Sequence, residues 1–170
     1  CMACSTGQEP YSVAILIREN FPELYYWKVE ILATDLSLQV LKRAREGSFT
    51  QHEINRGLPL PLMLKYFTRQ GMNWQAKDDI RQMIDFQPMN LIEPWIAVPP
   101  IDVVFLRNVL IYFDVAVRRD ILAKVRRILR PDGYLFLGGS ENVLGLDDGF
   151  RRTEVQQSSV YRLRSYSRSA

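Results

Sequence analysis

Hydrophobic positions along the chain alternate between the spacing of a helix and the spacing of a strand. After a turn at 5–7, apolar residues recur at helical spacing as far as Asn20, and Thr6 with Glu9 fits a capping box that would begin this helix. The run KVEILAT at 28–34 predicts a strand that ends on Asp35. Ser37 is suited to cap a second helix, which would run to Glu46 and stop at Gly47.

The second half of the chain repeats this alternation after an irregular stretch at 48–82. We predict a strand at 101–106, where the run IDVVFL is typical of a strand buried on both faces, and a helix capped by Asp114. The basic residues of this helix, from Arg118 to Arg130, are expected to form a solvated face. The remaining predicted segments are a helical turn at 62–66, a hairpin at 67–81, an extended segment at 84–91, a Pro-Asp-Gly turn at 131–133 into a strand at 134–137, and a final hairpin at 150–155 and 159–163.

Strands that alternate with helices predict a parallel α/β sheet with helices on both faces and an antiparallel hairpin at its edge. We expect one domain at 1–164 and a loose tail at 165–170. No strand precedes the turn at 5–7, so we expect that an N-terminal part is missing. Ligands of such folds bind at the carboxyl ends of the strands. Four places therefore become candidates: the turn before the first helix, Asp35, Asn90–Leu91 and Arg107–Asn108.

Composition and charge narrow the class of protein. Hydrophobic residues make up 47% and charged residues 24%, which is ordinary for a folded domain, and no apolar run is long enough to span a bilayer. We therefore predict a soluble, cytoplasmic protein. The net charge is +3, with 12 basic and 8 acidic residues in 101–170, which slightly favours an acidic partner and falls short of a nucleic-acid-binding surface.

The two cysteines, Cys1 and Cys4, form a C-x-x-C pair at the start of the chain. Such a pair is found in redox dithiols and in zinc sites. A zinc site lacks further ligands here, because His52 is the single histidine and there is no second cysteine pair. The context of a redox dithiol is also missing, so small residues in a tight loop are the preferred interpretation, and we predict no metal.

Single residues at the candidate places have both functional and structural explanations. Gly7 allows close approach of the backbone at a helix N-terminus, although every helix needs a start. Asp35 is suited to accept hydrogen bonds from ribose hydroxyls, and Ser37 leaves it freer for that role by capping the helix. Arg107 needs a cleft, a carboxylate or water for its guanidinium. For Tyr112, residue type alone slightly favours a place in the core.

Five segments form an ordered combination that is unlikely to occur by chance: STGQEPYS at 5–12, ILATD at 31–35, NL at 90–91, RNVLIYFD at 107–114 and PDGYLFLGGSE at 131–141. This series resembles the C-terminal domain of the chemotaxis-receptor glutamate methyltransferase (CheR) family, over nearly the whole chain. The resemblance implies a Rossmann-like sheet that binds S-adenosylmethionine and releases S-adenosylhomocysteine, and it implies the cytoplasmic part of chemotaxis receptors as partner.

The resemblance also implies roles for individual residues. Tyr112 corresponds to the family's active-site tyrosine, and Arg107 is a catalytic candidate as well as a cofactor contact. The implied cofactor-binding residues are Gly7, Glu9, Asp35, Asn90, Leu91, Arg107 and Asn108. Members of the family carry an N-terminal helical domain, which we expect to be part of what is missing here. The stretch at 48–83 would be the family's small β-subdomain, and its short segment at 68–81 favours a form that is independent of a tethering receptor peptide.

Two alternatives remain open. A domain of this kind could bind the cofactor or a receptor without catalysing methyl transfer. Measurements of S-adenosylhomocysteine binding and of methyl transfer would distinguish such a module from an enzyme. A dinucleotide oxidoreductase would need G-x-G-x-x-G after a strand, and only Gly7 occupies that turn. A nucleic-acid methyltransferase is disfavoured by the modest charge and by Arg107-Asn108-Val109-Leu110 where amine methyltransferases carry a Pro-Pro-aromatic segment.

We expect Glu9, Asp35, Asn90 and Arg107 to converge on one crevice.

Overall fold

The computed structural model describes residues 1–155 and 158–164. Contacts divide the chain into two compact units, one of residue 1 with residues 3–89 and one of residue 2 with residues from 90 onward. The helices are α1 Gln8–Asn20, α2 Leu38–Glu46, α3 Gln51–Ile54, α4 Leu60–Tyr66, α5 Asp78–Arg81 and α6 Val115–Ile128. The strands are β1 Ile31–Asp35, β2 Ser48–Thr50, β3 Phe67–Gln70, β4 Asn73–Ala76, β5 Ile84–Pro88, β6 Ile101–Leu106, β7 Leu129–Leu137, β8 Phe150–Val155 and β9 Ser158–Leu163. Two 3₁₀ turns lie at Pro22–Tyr26 and Leu110–Tyr112.

The first unit contains two small sheets. Strands β1 and β5 pair in parallel, with Ile31 opposite Ile84 and Asp35 opposite Pro88. Strands β2, β4 and β3 form a separate antiparallel sheet in that order, within the stretch where the sequence predicts a β-subdomain. The predicted extended segment at 84–91 ends early, at Pro88, because its partner β1 ends at Asp35, whose carbonyl accepts the last hydrogen bond between the strands from the N–H of Met89. The limits of the subdomain at 48–83 stay a prediction.

Helix α2 begins and ends as its sequence predicts. The Ser37 side chain accepts a hydrogen bond from the N–H of Val40, and Gly47 ends the helix with φ 63°, a left-handed conformation that favours glycine. A Cβ at Gly47 would also lie 2.6 Å from the Tyr11 hydroxyl. Helix α1 starts differently from its prediction. Its N-cap is Gly7, with φ 98° and no side-chain cap, so the capping box predicted for Thr6 and Glu9 is wrong.

The core of the first unit joins both helices to the strands. Tyr11, Ala14 and Ile15 of α1 are buried with Leu41 and Ala44 of α2. Aromatic side chains extend this cluster toward the small sheet, where Phe49 meets Tyr11 edge to face, with ring centroids 5.6 Å apart. The helices are thereby packed beside β1 and β5.

The second unit is a four-stranded sheet in the order β6-β7-β9-β8, with β6 and β7 parallel and the other pairs antiparallel. The predicted final hairpin is therefore confirmed, whereas the predicted tail at 165–170 lies outside the described residues. The Pro-Asp-Gly turn at 131–133 is corrected, since β7 already begins at Leu129 and these residues form an irregularity in its pairing with β6.

Strand β6 is not buried on both faces, contrary to its apolar sequence. Val104 and Leu106 are buried, but Val103 is 41% exposed and Asp102 is exposed. Successive side chains of a strand point to opposite faces, so Asp102, Val104 and Leu106 share a face that is buried from Val104 onward, and Val103 lies on the opposite face, which described residues cover only in part. Within the part of the chain that the structure describes, none of the helices is both long enough and apolar enough to cross a membrane.

Candidate functional site

Asp35, the last residue of β1, uses its carboxylate to hold two turns. Oδ2 accepts a hydrogen bond from the N–H of Ser5 at 2.9 Å, and Oδ1 accepts one from the N–H of Ser37 at 3.0 Å. Ser37 caps α2 as expected, and Asp35 does not cap the helix but accepts the N–H of the cap residue. A carboxylate has about four acceptor positions. Asp35 thus keeps capacity for two further donors, as two ribose hydroxyls would require.

The turn at 5–7 lies directly beside Asp35 because of the Ser5 hydrogen bond. Ser5 has φ 52° and Gly7 has φ 98°. A Cβ at Gly7 would come within 3.2 Å of the Ala44 side chain, so close packing as well as backbone conformation requires glycine there. Glu9 lies in the first turn of α1 and is half-buried. The structure thus brings together the Gly7 turn and Asp35, two of the predicted cofactor contacts.

Asn90 and Leu91 begin the second unit and are held in a tight turn. The Asn90 side chain accepts from the N–H of Ile92 at 3.2 Å and donates to Glu93 at 3.0 Å. Leu91 is buried, and its carbonyl oxygen accepts from Nζ of Lys124 at 2.8 Å. Lys124 is only 8% exposed, so this residue is not part of a solvated basic face as predicted. It fixes the backbone of the 91–93 turn instead.

Arg107 and Asn108 follow β6, and both are exposed. Asn108 has φ 58°, a left-handed conformation that asparagine tolerates better than most residues. Tyr112 ends the 3₁₀ turn that follows and is 78% exposed. The core role that residue type favoured for Tyr112 is therefore wrong, and its hydroxyl is available to solvent or to a substrate.

Glu141 is a residue whose contacts the sequence analysis missed, although it lies inside one of the quoted segments. Its carboxylate accepts four backbone hydrogen bonds, from the N–H groups of Asn108, Val109, Leu110 and Gly138, at 2.7 to 2.9 Å. Three of these donors are 31 to 33 residues away in the chain. No local spacing rule reaches that far. The one available signal was the position of Glu141 just after the Gly138-Gly139 pair at the end of β7.

Cys1 and Cys4 form no disulfide. They lie beside β1, where Cys4 donates its backbone N–H to the carbonyl of Thr34 at 2.9 Å and the Cys1 carbonyl accepts from the N–H of Thr34. Burial, with a smaller contribution from the negative charge of Asp35, raises the pKa of the Cys4 thiol to about 11. Among the described residues no three His, Cys, Asp or Glu side chains are grouped to hold a metal ion.

Each unit thus presents a polar strand end that suits part of an adenosyl ligand. In the first unit, spare acceptors of Asp35 lie beside a glycine turn and the N-terminus of α1, which favours an anionic group. In the second unit, Asn90 and Asn108 offer amides on backbone that is held in place by Lys124 and Glu141. The expected convergence of Glu9, Asp35, Asn90 and Arg107 on one crevice stays a prediction.

Comparison with known proteins supplies the family. The model described as "CheR methyltransferase, SAM binding domain" matches residues 1–159. The chain is similar to Chemotaxis protein methyltransferase 1 of Pseudomonas aeruginosa, with 39% identity over 94% of this chain and 60% of that protein. It is 38% identical to a chemotaxis protein methyltransferase of Pseudomonas putida, over 94% of this chain and 59% of the relative. The chain therefore spans about 60% of the length of these curated relatives.

Similarity to solved structures concerns the fold. A TehB-like SAM-dependent methyltransferase from Corynebacterium glutamicum matches with a TM-score of 0.57 and 14% identity, over 96% of this chain and 78% of that one. The predicted α/β, Rossmann-like methyltransferase fold is thereby confirmed, and the family description confirms S-adenosylmethionine as the cofactor. Sequence, fold and polar strand ends agree, and the chain belongs to the CheR methyltransferase family, as its SAM-binding domain.

Proposed function

We propose that this chain is the catalytic domain of a protein-glutamate O-methyltransferase that acts on the cytoplasmic part of chemotaxis receptors. The observation that carries the proposal is the end of β1, where Asp35 is held by Ser5 and Ser37 and keeps acceptor positions for ribose hydroxyls. The names of the relatives support the activity, and the family supports the cofactor. Receptors as substrates are inferred from those names.

Methyl transfer to a carboxylate requires no acid–base catalysis by the protein. A glutamate side chain has a reference pKa of about 4.3, so the substrate is already an anion at neutral pH and needs no general base. When bound, S-adenosylmethionine supplies a methyl group to a carboxylate oxygen of the substrate, while the carbon–sulfur bond breaks and its electron pair stays on sulfur. The protein has to align the reactants and exclude water.

Tyr112 and Arg107 are proposed to orient the substrate carboxylate. Both side chains are exposed after β6, and a phenol and a guanidinium are donors to carboxylate oxygens. No proton needs to leave either group during transfer, so their contribution is alignment and stabilisation of charge. Gly7, Glu9, Asp35, Asn90, Leu91, Arg107 and Asn108 are proposed as cofactor contacts, each on the resemblance of its segment to the family.

The proposal is tested by binding of S-adenosylhomocysteine to Asp35→Ala, measured by calorimetry. Loss of two charge-assisted hydrogen bonds of about 1.5 kcal/mol each predicts a rise in Kd of roughly 100-fold or more. Asp85→Asn is the matched control, because Asp85 is an exposed acid on the neighbouring strand β5 and should leave Kd unchanged. Thermal melts accompany both variants, since Asp35→Ala also releases two turns.

The outcomes separate the alternatives. If Asp35→Ala binds as tightly as the parent while it remains folded, the ribose contact is wrong. If the parent binds S-adenosylhomocysteine but the intact protein transfers no methyl group to receptor, the non-catalytic binding module is correct and the enzyme assignment fails.

A further inference from the structure

Glu141 lies in the turn that follows β7, with its side chain directed toward backbone N–H groups. Oε1 accepts hydrogen bonds from Val109 at 2.9 Å and Leu110 at 2.8 Å, and Oε2 accepts from Asn108 and Gly138, both at 2.7 Å. The segment 108–110 leads from β6 into the 3₁₀ turn that carries Tyr112. The Glu141 side chain thus accepts hydrogen bonds from three consecutive backbone N–H groups. These groups belong to the segment that leads to Tyr112, the proposed substrate contact, and includes Asn108, a proposed cofactor contact.

The conformation held by Glu141 is one that the segment would not adopt readily alone. Asn108 has φ 58°, in the left-handed region that costs free energy for residues with a side chain. Three successive N–H groups pointing to one place form a concave donor site that favours a negative charge. The carboxylate of Glu141 supplies that charge from within the protein, and it thereby stabilises the unusual backbone.

Gly138 makes room for this arrangement. A Cβ there would lie 2.6 Å from Oε2 of Glu141 and 3.0 Å from the backbone nitrogen of Asn108. Such distances are not tolerated, so any larger residue would displace the carboxylate or the segment. The absence of a side chain at Gly138 therefore leaves space for the Glu141 carboxylate beside Asn108.

The number of hydrogen-bond donors around Glu141 indicates whether its carboxylate can contact a ligand or only position the backbone. A carboxylate has about four acceptor positions, and Glu141 receives four N–H groups. No acceptor position remains for a ligand. Lys or Arg is not among these partners, so Glu141 is engaged by backbone alone in the hydrogen bonds described.

We propose that Glu141 is a positioning residue for methyl transfer, which fixes the 108–110 backbone so that Asn108 and Tyr112 are presented in a productive orientation. This inference rests on the proposed function. Glutamine cannot replace Glu141, because an amide has one carbonyl oxygen and its NH₂ group would face two N–H donors in either orientation.

The test compares Glu141→Gln with the parent by amide hydrogen exchange and by calorimetry with S-adenosylhomocysteine. We expect exchange at 108–110 to accelerate at least tenfold while α6 is unchanged, and Kd to rise at least tenfold. Glu154→Gln, an exposed glutamate on β8, is the matched control and should alter neither quantity. Gly138→Ala is a second variant, expected to reproduce both effects by displacing the carboxylate.

Steady-state kinetics of the intact protein distinguish positioning from loss of folded protein. Partial unfolding lowers apparent kcat and leaves the KM for S-adenosylmethionine unchanged, whereas a misplaced segment raises that KM. Unchanged exchange at 108–110, or faster exchange with unchanged Kd and KM in both variants, would overturn the proposal. Those outcomes would leave the proposed function intact. If the parent protein bound no S-adenosylhomocysteine, the proposed function would be overturned and this inference with it.

Discussion

At the scale of single residues, Asp35 has two effects on its surroundings. Its carboxylate orders the turns at Ser5 and Ser37 through backbone N–H donors. Its negative charge also adds to burial in raising the pKa of the Cys4 thiol to about 11. The sequence led us to treat the cysteines as small loop residues, and the structure agrees that Cys4 is not a reactive thiol, because a high pKa and burial both suppress thiolate formation.

We therefore predict slow alkylation of Cys4. A pKa two units above the reference of 9.0 leaves roughly 100-fold less thiolate at pH 8, and burial slows the reaction further. The measurement is iodoacetamide labelling of Cys1→Ser, followed by mass spectrometry between pH 7 and pH 10. The rate should rise tenfold per pH unit without a plateau. Cys4→Ser serves as the comparison for Cys1, and a plateau of the Cys4 rate near pH 8.5 would contradict the prediction.

At the scale of elements, the pattern T-x-x-E occurs twice with different results. Thr50 and Glu53 form a complete capping box at the start of α3, a helix inside the stretch at 48–82 for which the hydrophobic pattern predicts no helix at this place. Thr6 and Glu9 form none, because Gly7 with φ 98° is the residue before α1 and an N-cap of this kind needs extended backbone. Thr50 has that backbone, with φ −69° and ψ 160°. The pattern therefore indicates a helix start without fixing which residue caps it.

Glu53 should make the stability of the first unit depend on pH. Burial would raise the pKa of Glu53, but hydrogen bonds from Thr50 and the guanidinium of Arg43 outweigh it and hold the pKa below its ordinary value. A depressed folded-state pKa stabilises above the unfolded value of about 4.3 and loses that stabilisation as the pH falls through the folded value. Glutamine also fits this position of a capping box, so the loss comes from the charge: we expect Glu53→Gln to lower the free energy of unfolding by about 1 kcal/mol at pH 7.

Urea unfolding at pH 7 and pH 3.5 checks this prediction. The difference between parent and Glu53→Gln should shrink at the lower pH, where the parent carboxylate is increasingly protonated. Glu23→Gln removes an exposed carboxylate outside these contacts and should show little difference at either pH. A difference of equal size at both pH values would show that the ionised form of Glu53 is not what stabilises the capping box.

At the scale of the whole molecule, the chain spans about 60% of the length of its relatives. Tyr112 is suited to test the transfer step in the intact protein. Its side chain is 78% exposed, so Tyr112→Phe should change stability little. Loss of one hydrogen bond to a charged carboxylate, about 1.5 to 3 kcal/mol, predicts a fall in kcat of roughly 10- to 100-fold.

The same variant should bind S-adenosylhomocysteine as the parent does, because Tyr112 is proposed to orient the substrate and not the cofactor. Methyl incorporation into receptor and calorimetry measure the two effects separately. An unchanged kcat would remove Tyr112 from the active site. A weakened affinity for S-adenosylhomocysteine with normal kcat would place Tyr112 among the cofactor contacts instead.

Sequence by itself determined the features that depend on neighbours within about one helical turn or on a quoted motif. The Ser37 and Asp114 caps follow from side chains that accept hydrogen bonds from nearby backbone, and the Gly47 stop follows from the left-handed backbone that glycine adopts readily. Five ordered segments were enough to predict the family and the cofactor, both of which the comparisons confirmed. Interactions of this range are readable because the donors and acceptors are close in the chain.

Tertiary structure alone decided which groups meet across long separations. Asp35 holds Ser5 from 30 residues away, Glu141 accepts amides 31 to 33 residues distant, and Lys124 is buried against the carbonyl of Leu91. It also decided that Tyr112 and Val103 are exposed, although their residue types favour a core. Burial and long-range hydrogen bonds depend on how elements pack, and no spacing along the chain specifies that packing.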